Sequence, residues 1–68
     1  MKNYINTDNQ YINEVKVSDM TGISVATLRN HRWLGKGIPY VKIGRTVRYQ
    51  ESEVLNYLDE LKVITNPL

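Results

Sequence analysis

Gly35-Lys36-Gly37-Ile38-Pro39-Tyr40-Val41-Lys42-Ile43-Gly44-Arg45-Thr46-Val47-Arg48-Tyr49 is the stretch on which the fold turns. Pro39 sets an extended direction for Tyr40-Val41-Lys42-Ile43, and Thr46-Val47-Arg48-Tyr49 has the same β-rich character. Between them stands the two-residue connection Gly44-Arg45, with glycine first, which is the arrangement of a type II′ hairpin. Period-two alternation predicts Val41, Ile43, Val47 and Tyr49 on one face, Lys42 and Arg48 on the other, and Arg45 at the tip.

Outward toward the N-terminus, Gly35 and Gly37 stop a segment, Ser24 to Leu34, that no Pro or Gly interrupts. Ser24 caps it, and Val25, Leu28 and either His31 or Arg32 fall in one arc of a helix. Before it, Asn13 caps a helix with Glu14 at the positive end of its dipole and Val17 and Met20 on its inner face. Gly22 ends that helix in a tight turn and lets Ile23 fold inward. Outward toward the C-terminus, after Gln50-Glu51-Ser52, Val54, Tyr57, Leu58 and Leu61 follow the i, i+3, i+4, i+7 spacing of a helix packed by one stripe. The expected fold is therefore mostly α with a small β-hairpin, in the order α-α-β-β-α. Residues 1–10, rich in Asn, Thr, Asp and Gln, read as a flexible arm, residues 11–62 as the domain, and residues 63–68 as a fraying tail.

Sixty-eight residues, 41% hydrophobic and 24% charged, suit one small domain and leave no room for a second or for a large catalytic cleft. There is no cysteine, which excludes disulfides and thiolate metal sites, and a single histidine assembles no zinc site without several carboxylates. We expect no metal, no cofactor and no catalytic residue, since neither a glycine-rich phosphate loop after a strand nor a Ser, His and Asp constellation is present. No apolar run reaches the length of a membrane span, and the polar start is no signal-peptide core, so a cytoplasmic protein is expected.

The formal charge of +2 hides an asymmetry. Residues 24–49 carry Arg29, Arg32, Lys36, Lys42, Arg45 and Arg48 and no acid, whereas residues 1–23 sum to −1 and residues 50–68 to −3. Six positive charges so concentrated suit a polyanionic partner, of which nucleic acid is the commonest.

A helix-turn-helix followed by a tight basic hairpin and a closing helix is the pattern of a winged helix-turn-helix. The runs Thr21-Gly22-Ile23-Ser24, Thr27-Leu28-Arg29, Gly35 to Arg45 and Val47-Arg48-Tyr49, with the Val54 to Leu58 stripe, resemble the excisionase and AlpA-like family of small DNA-binding proteins, relatives of the MerR-type winged helix. The resemblance spans roughly residues 11–61 and is most specific over 35–49. It implies that the second helix enters the major groove of double-stranded DNA and that the wing meets the adjacent backbone or minor groove. It further implies a recombination directionality factor that assists an integrase, or a small transcriptional regulator. Where many relatives carry a tryptophan under the second helix this chain has His31, and Trp33 follows on a different face.

With Leu28 inward, Ala26, Asn30 and Trp33 lie near the opposite side of the helix, flanked by Thr27 and Arg29. Asn30 suits adenine, Arg29 guanine or a phosphate, and Ala26 or Thr27 a thymine methyl, while Ser24 and the first-turn amides suit a phosphate. On the wing, Lys42, Gly44, Arg45, Thr46 and Arg48 are the expected contacts, Arg45 reaching toward the minor groove. Three roles stay open for Trp33: covering the wing base near Tyr40, stacking on DNA, or meeting a neighbouring protomer. His31, Tyr49 and Tyr57 read as core or partly buried residues. A monomer that becomes cooperative only on DNA is expected, because the last helix uses its one apolar stripe to close its own core. An interaction module within a larger DNA-processing complex, docking through the wing or Val63-Ile64, is the reading from another class.

Overall fold

A computed structural model of the protein describes residues 10–63. Along the chain lie β1 (Tyr11–Ile12), α1 (Glu14–Thr21), α2 (Val25–Leu34), β2 (Val41–Ile43), β3 (Thr46–Gln50) and α3 (Glu51–Glu60). The two helices, hairpin and closing helix come in the order expected, with one short strand added in front of them. The expectations for residues 1–9 and 64–68, including Ile64 as a docking residue, lie outside the described residues.

Local chemistry explains the helix-turn-helix. Asn13, in extended backbone, caps α1 by accepting from the Lys16 N–H at 2.9 Å, and Gly22 ends the helix by donating its N–H to the Ser18 carbonyl. Thr21 braces the turn, since its hydroxyl donates to the Val17 carbonyl and accepts from the Ile23 N–H. Ser24 then opens α2 by accepting from the Thr27 N–H at 3.1 Å, and also donates to the Thr27 hydroxyl.

In the hairpin, Gly44 has φ +62° while no non-glycine residue among those described has positive φ. A type I′ turn needs positive φ at both central positions, so Arg45 makes the turn the expected type II′. Pairing places Ile43 opposite Thr46, Lys42 opposite Val47 and Val41 opposite Arg48. Because cross-strand partners share a face, Val41 and Ile43 lie with Thr46 and Arg48, and Lys42 lies with Val47 and Tyr49. This corrects the expected division of faces: Lys42 and Arg48 are on opposite sides, and Ile43 is 65% exposed.

The added strand closes a three-stranded sheet in the order β1-β3-β2, pairing Tyr11 with Gln50 and Ile12 with Tyr49. The Glu51 N–H then donates to the Gln10 carbonyl at 2.8 Å, satisfying one of the orphan donors of α3. That helix begins directly after β3, without the Gln50-Glu51-Ser52 connection that its apolar spacing suggested.

The core takes Val17 from α1, Leu28 from α2, Tyr49 from β3, Val54 from α3 and Ile38 from the loop between α2 and β2. Ile12, Met20, Ile23, Val47 and Tyr57 pack around these. Leu61, expected in the stripe, is exposed at the end of α3. His31 is half-buried against Gly37, whose φ of +89° disfavours a side chain and where an added Cβ would stand 2.9 Å from the His31 ring and Cβ. No helix among the described residues is long and apolar enough to cross a membrane.

Candidate nucleic-acid interface

Two surfaces meet along α2. The first is its outward face, on which Ser24, Ala26, Thr27, Asn30 and Trp33 are all exposed, Trp33 to 85%. The tryptophan therefore covers no part of the wing base. The second is an open cleft of about 390 Å³ between the start of α1, the inner edge of α2 and the wing, with Arg29, Arg32, Arg45 and Arg48 in its lining. Arg45 and Thr46 are exposed, and Arg48 is half-buried with its Nη1 donating to the Val47 carbonyl at 2.8 Å. Lys42 is exposed but does not line the cleft. The structure thus brings Arg29, Arg45, Thr46 and Arg48 together, sets Ala26, Asn30 and Trp33 beside them on the helix, and leaves Lys42 apart.

Two participants were not assigned to this site in the sequence. Glu14, from the first turn of α1, is the only acid among the described residues in the cleft lining. Its Oε2 accepts from Arg29 Nη2 at 2.6 Å, and its Oε1 accepts from Arg29 Nε at 3.2 Å and from Arg32 Nη2 at 3.1 Å. Arg32 also donates from Nη1 to the Tyr49 hydroxyl at 2.7 Å and lies over the rings of Tyr40 and Tyr49. A signal for the pairing exists in the chain: Glu14 and Arg32 stand equally far from Ile23, so helices folded back across that turn bring them into register. His31 and Arg32 both turn inward, and it is Arg32 that makes the polar connections.

Hydrogen bonding from Arg29 holds the Glu14 carboxyl below its ordinary value of 4.5, with burial opposing and Arg32 reinforcing the shift. Arg29 is raised above its ordinary value by the hydrogen bond to Glu14. Arg32 is raised as well, its burial outweighed by the hydrogen bonds to Tyr49 and Glu14. Since Glu14 titrates lower in the folded state than in the unfolded one, its stabilisation is fully present above pH 4.5 and is lost as pH falls through the folded value. Glu14→Gln should therefore lower stability at pH 7 by about 1 kcal/mol and flatten the acid limb of a stability profile followed by circular dichroism. An unchanged acid limb would show that the pair adds no net stability.

Among the described residues, no three of His, Asp or Glu converge in a way that would hold a metal ion. The helix-turn-helix domain family model matches residues 16–62, most of the chain. The chain belongs to the helix-turn-helix domain family. Helix-turn-helix domains bind DNA, and the match runs from α1 through the wing to the end of α3. It begins after β1 and after Glu14, so the added strand and the acid in the cleft lie outside the matched segment. Neither characterised proteins nor solved structures give a significant match to the chain.

Proposed function

We propose that this helix-turn-helix domain recognises a specific duplex DNA site and acts as an excisionase-type recombination directionality factor of a mobile element or prophage. It bends the DNA and directs an integrase, which carries out the strand chemistry, toward excision. The observation that carries the DNA reading is the cleft joining α2 to the wing, lined by four arginines against the single carboxylate of Glu14, because its net positive charge, with Arg45 and Arg48 left outside the Glu14 pairs, suits a phosphate backbone running between a groove-bound helix and a hairpin. Within that reading, Ala26, Thr27, Asn30 and Trp33 face base edges, and Ser24 with the first-turn amides holds a phosphate. Gly44, Arg45, Thr46 and Arg48 form the wing contact, and Lys42, on the opposite face of the hairpin from Arg48, adds a contact apart from the cleft. The choice of directionality factor rests on the resemblance of roughly residues 11–61 to excisionase and AlpA-like proteins.

Addition of the protein to its integrase and attachment sites should raise excision and leave integration unchanged or reduced. Arg45→Ala should lower excision several-fold through the loss of one wing contact and the bend it supports, with the circular dichroism spectrum retained. If excision is equally efficient without the protein while a promoter beside the bound site changes output, the protein is a transcriptional regulator using the same surface.

A further inference from the structure

We propose that Glu14 is a specificity-determining residue: by clamping Arg29 from the side, it makes Arg29 a reader of guanine. The inference rests on the DNA-binding reading of α2 and goes beyond it by assigning a role to a residue of α1 outside the matched segment.

The geometry of the pair carries the argument. An arginine side chain has five N–H groups, and Glu14 takes two of them along one edge, one on Nε and one on Nη2. Of the three that remain, two lie parallel along the terminal edge, one on each Nη. That edge matches O6 and N7 of guanine in the major groove. Although bonded through two nitrogens, the Arg29 side chain remains 64% exposed, whereas that of Glu14 is only 20% exposed. The carboxylate thus holds the guanidinium from the protein side and leaves its far edge in solvent.

The position of Arg29 on α2 agrees. At about 100° per residue it lies roughly 40° around the helix from Trp33 and 60° from Ala26, between the outward face and the arginine cleft. An untethered arginine there would sweep toward the nearest phosphate and serve as a generic anchor. The clamp removes that freedom before binding, and the negative charge of Glu14 makes Arg29 a poorer phosphate partner than its neighbours Arg45 and Arg48. Arg32, bonded to the same Glu14 oxygen and to the Tyr49 hydroxyl, anchors the carboxylate to the core.

The test uses the full chain and duplexes drawn by selection from random DNA. Arg29→Ala first identifies the G·C pair at which discrimination is lost. Glu14→Gln should reduce discrimination at that same pair about tenfold or more, while affinity for unrelated duplexes stays level or rises and preferences at other positions hold. The ratio of affinities for two duplexes is independent of the folded fraction, so any loss of stability in Glu14→Gln does not obscure it. Glu14→Asp, which keeps the charge on a shorter arm, should retain more of the discrimination than Glu14→Gln.

Intact discrimination in Glu14→Gln would overturn the proposal. So would an equal gain on all duplexes, which would make Glu14 a screening charge, or an equal loss, which would make it a purely structural one. Failure of the wild-type chain to bind any duplex in a salt-dependent way would instead refute the DNA reading beneath it, and that result is visible before any variant is made.

Discussion

Affinity for duplex DNA should fall by two to three orders of magnitude as salt is raised from about 50 to 200 mM. The estimate takes roughly four to six phosphate contacts, each adding about −0.9 to the slope of log affinity against log salt. Geometry narrows the donors. Of the six basic residues in 24–49, Arg29 is committed to Glu14, and Arg32 is divided between Glu14 and Tyr49. Among the described residues Arg45, Arg48, Lys42 and Lys36 form no ion pair, and they supply most of the effect. Glu14→Gln should make the slope steeper by about 0.9, because it frees one guanidinium for phosphate. Fluorescence anisotropy at four or five salt concentrations reads both numbers. A slope near zero would remove nucleic acid as the partner.

The parts of the fold legible in the chain were those governed by residues close in sequence. Asn13 and Ser24 cap because their own side chains reach an N–H three residues on, and Gly44 makes the turn because its φ is positive. Such signals need no knowledge of what packs where. The face of the hairpin is legible only when the turn is counted, because alternation carried straight through it assigns the wrong parity. A two-residue connection pairs Ile43 with Thr46, so the parity changes across it, and Val41 falls with Arg48. β1 was not legible, because two residues show no period and Tyr11–Ile12 become a strand only by pairing with the edge of β3. Ile38 was missed for a related reason: its burial comes from the path of a loop between two elements, which no helix or strand spacing encodes. At the candidate site, the outward residues of α2 followed from helical phase once Leu28 was placed inside. The Glu14 contacts cross fifteen and eighteen residues, and the same carboxylate read alone is a routine favourable charge at a helix start.

Arg32→Ala should be among the most damaging single changes outside the apolar core, costing about 3 kcal/mol. The side chain is only 15% exposed and spans three elements: α2, from which it comes, β3 through the Tyr49 hydroxyl at 2.7 Å, and α1 through Glu14 at 3.1 Å. A hydrogen bond to a charged group contributes roughly 1.5–3 kcal/mol, and a guanidinium over an aromatic ring roughly another 0.5–1. Arg32 has two such hydrogen bonds, and its guanidinium carbon lies 5.7 Å from the Tyr40 ring centroid and 5.9 Å from that of Tyr49. Tyr49 is buried in the core, so losing Arg32 takes a partner from its hydroxyl where water has poor access. A core of this size contributes only about 3–5 kcal/mol in all, so the variant should be substantially unfolded at 37 °C. Arg32→Lys should not restore it, because a single ammonium cannot reach both oxygens with the geometry of a fork. Tyr49→Phe should cost less, about 1–2 kcal/mol, since it removes one hydroxyl and leaves the ring packed. In the Arg32→Ala background the same change should cost almost nothing, because the hydroxyl has already lost its partner. Urea midpoints of the four proteins give the coupling directly. Additive losses, or an Arg32→Ala cost below about 1 kcal/mol, would reduce the cluster to an ordinary surface ion pair and would leave the carboxylate of Glu14 without the anchor that fixes Arg29.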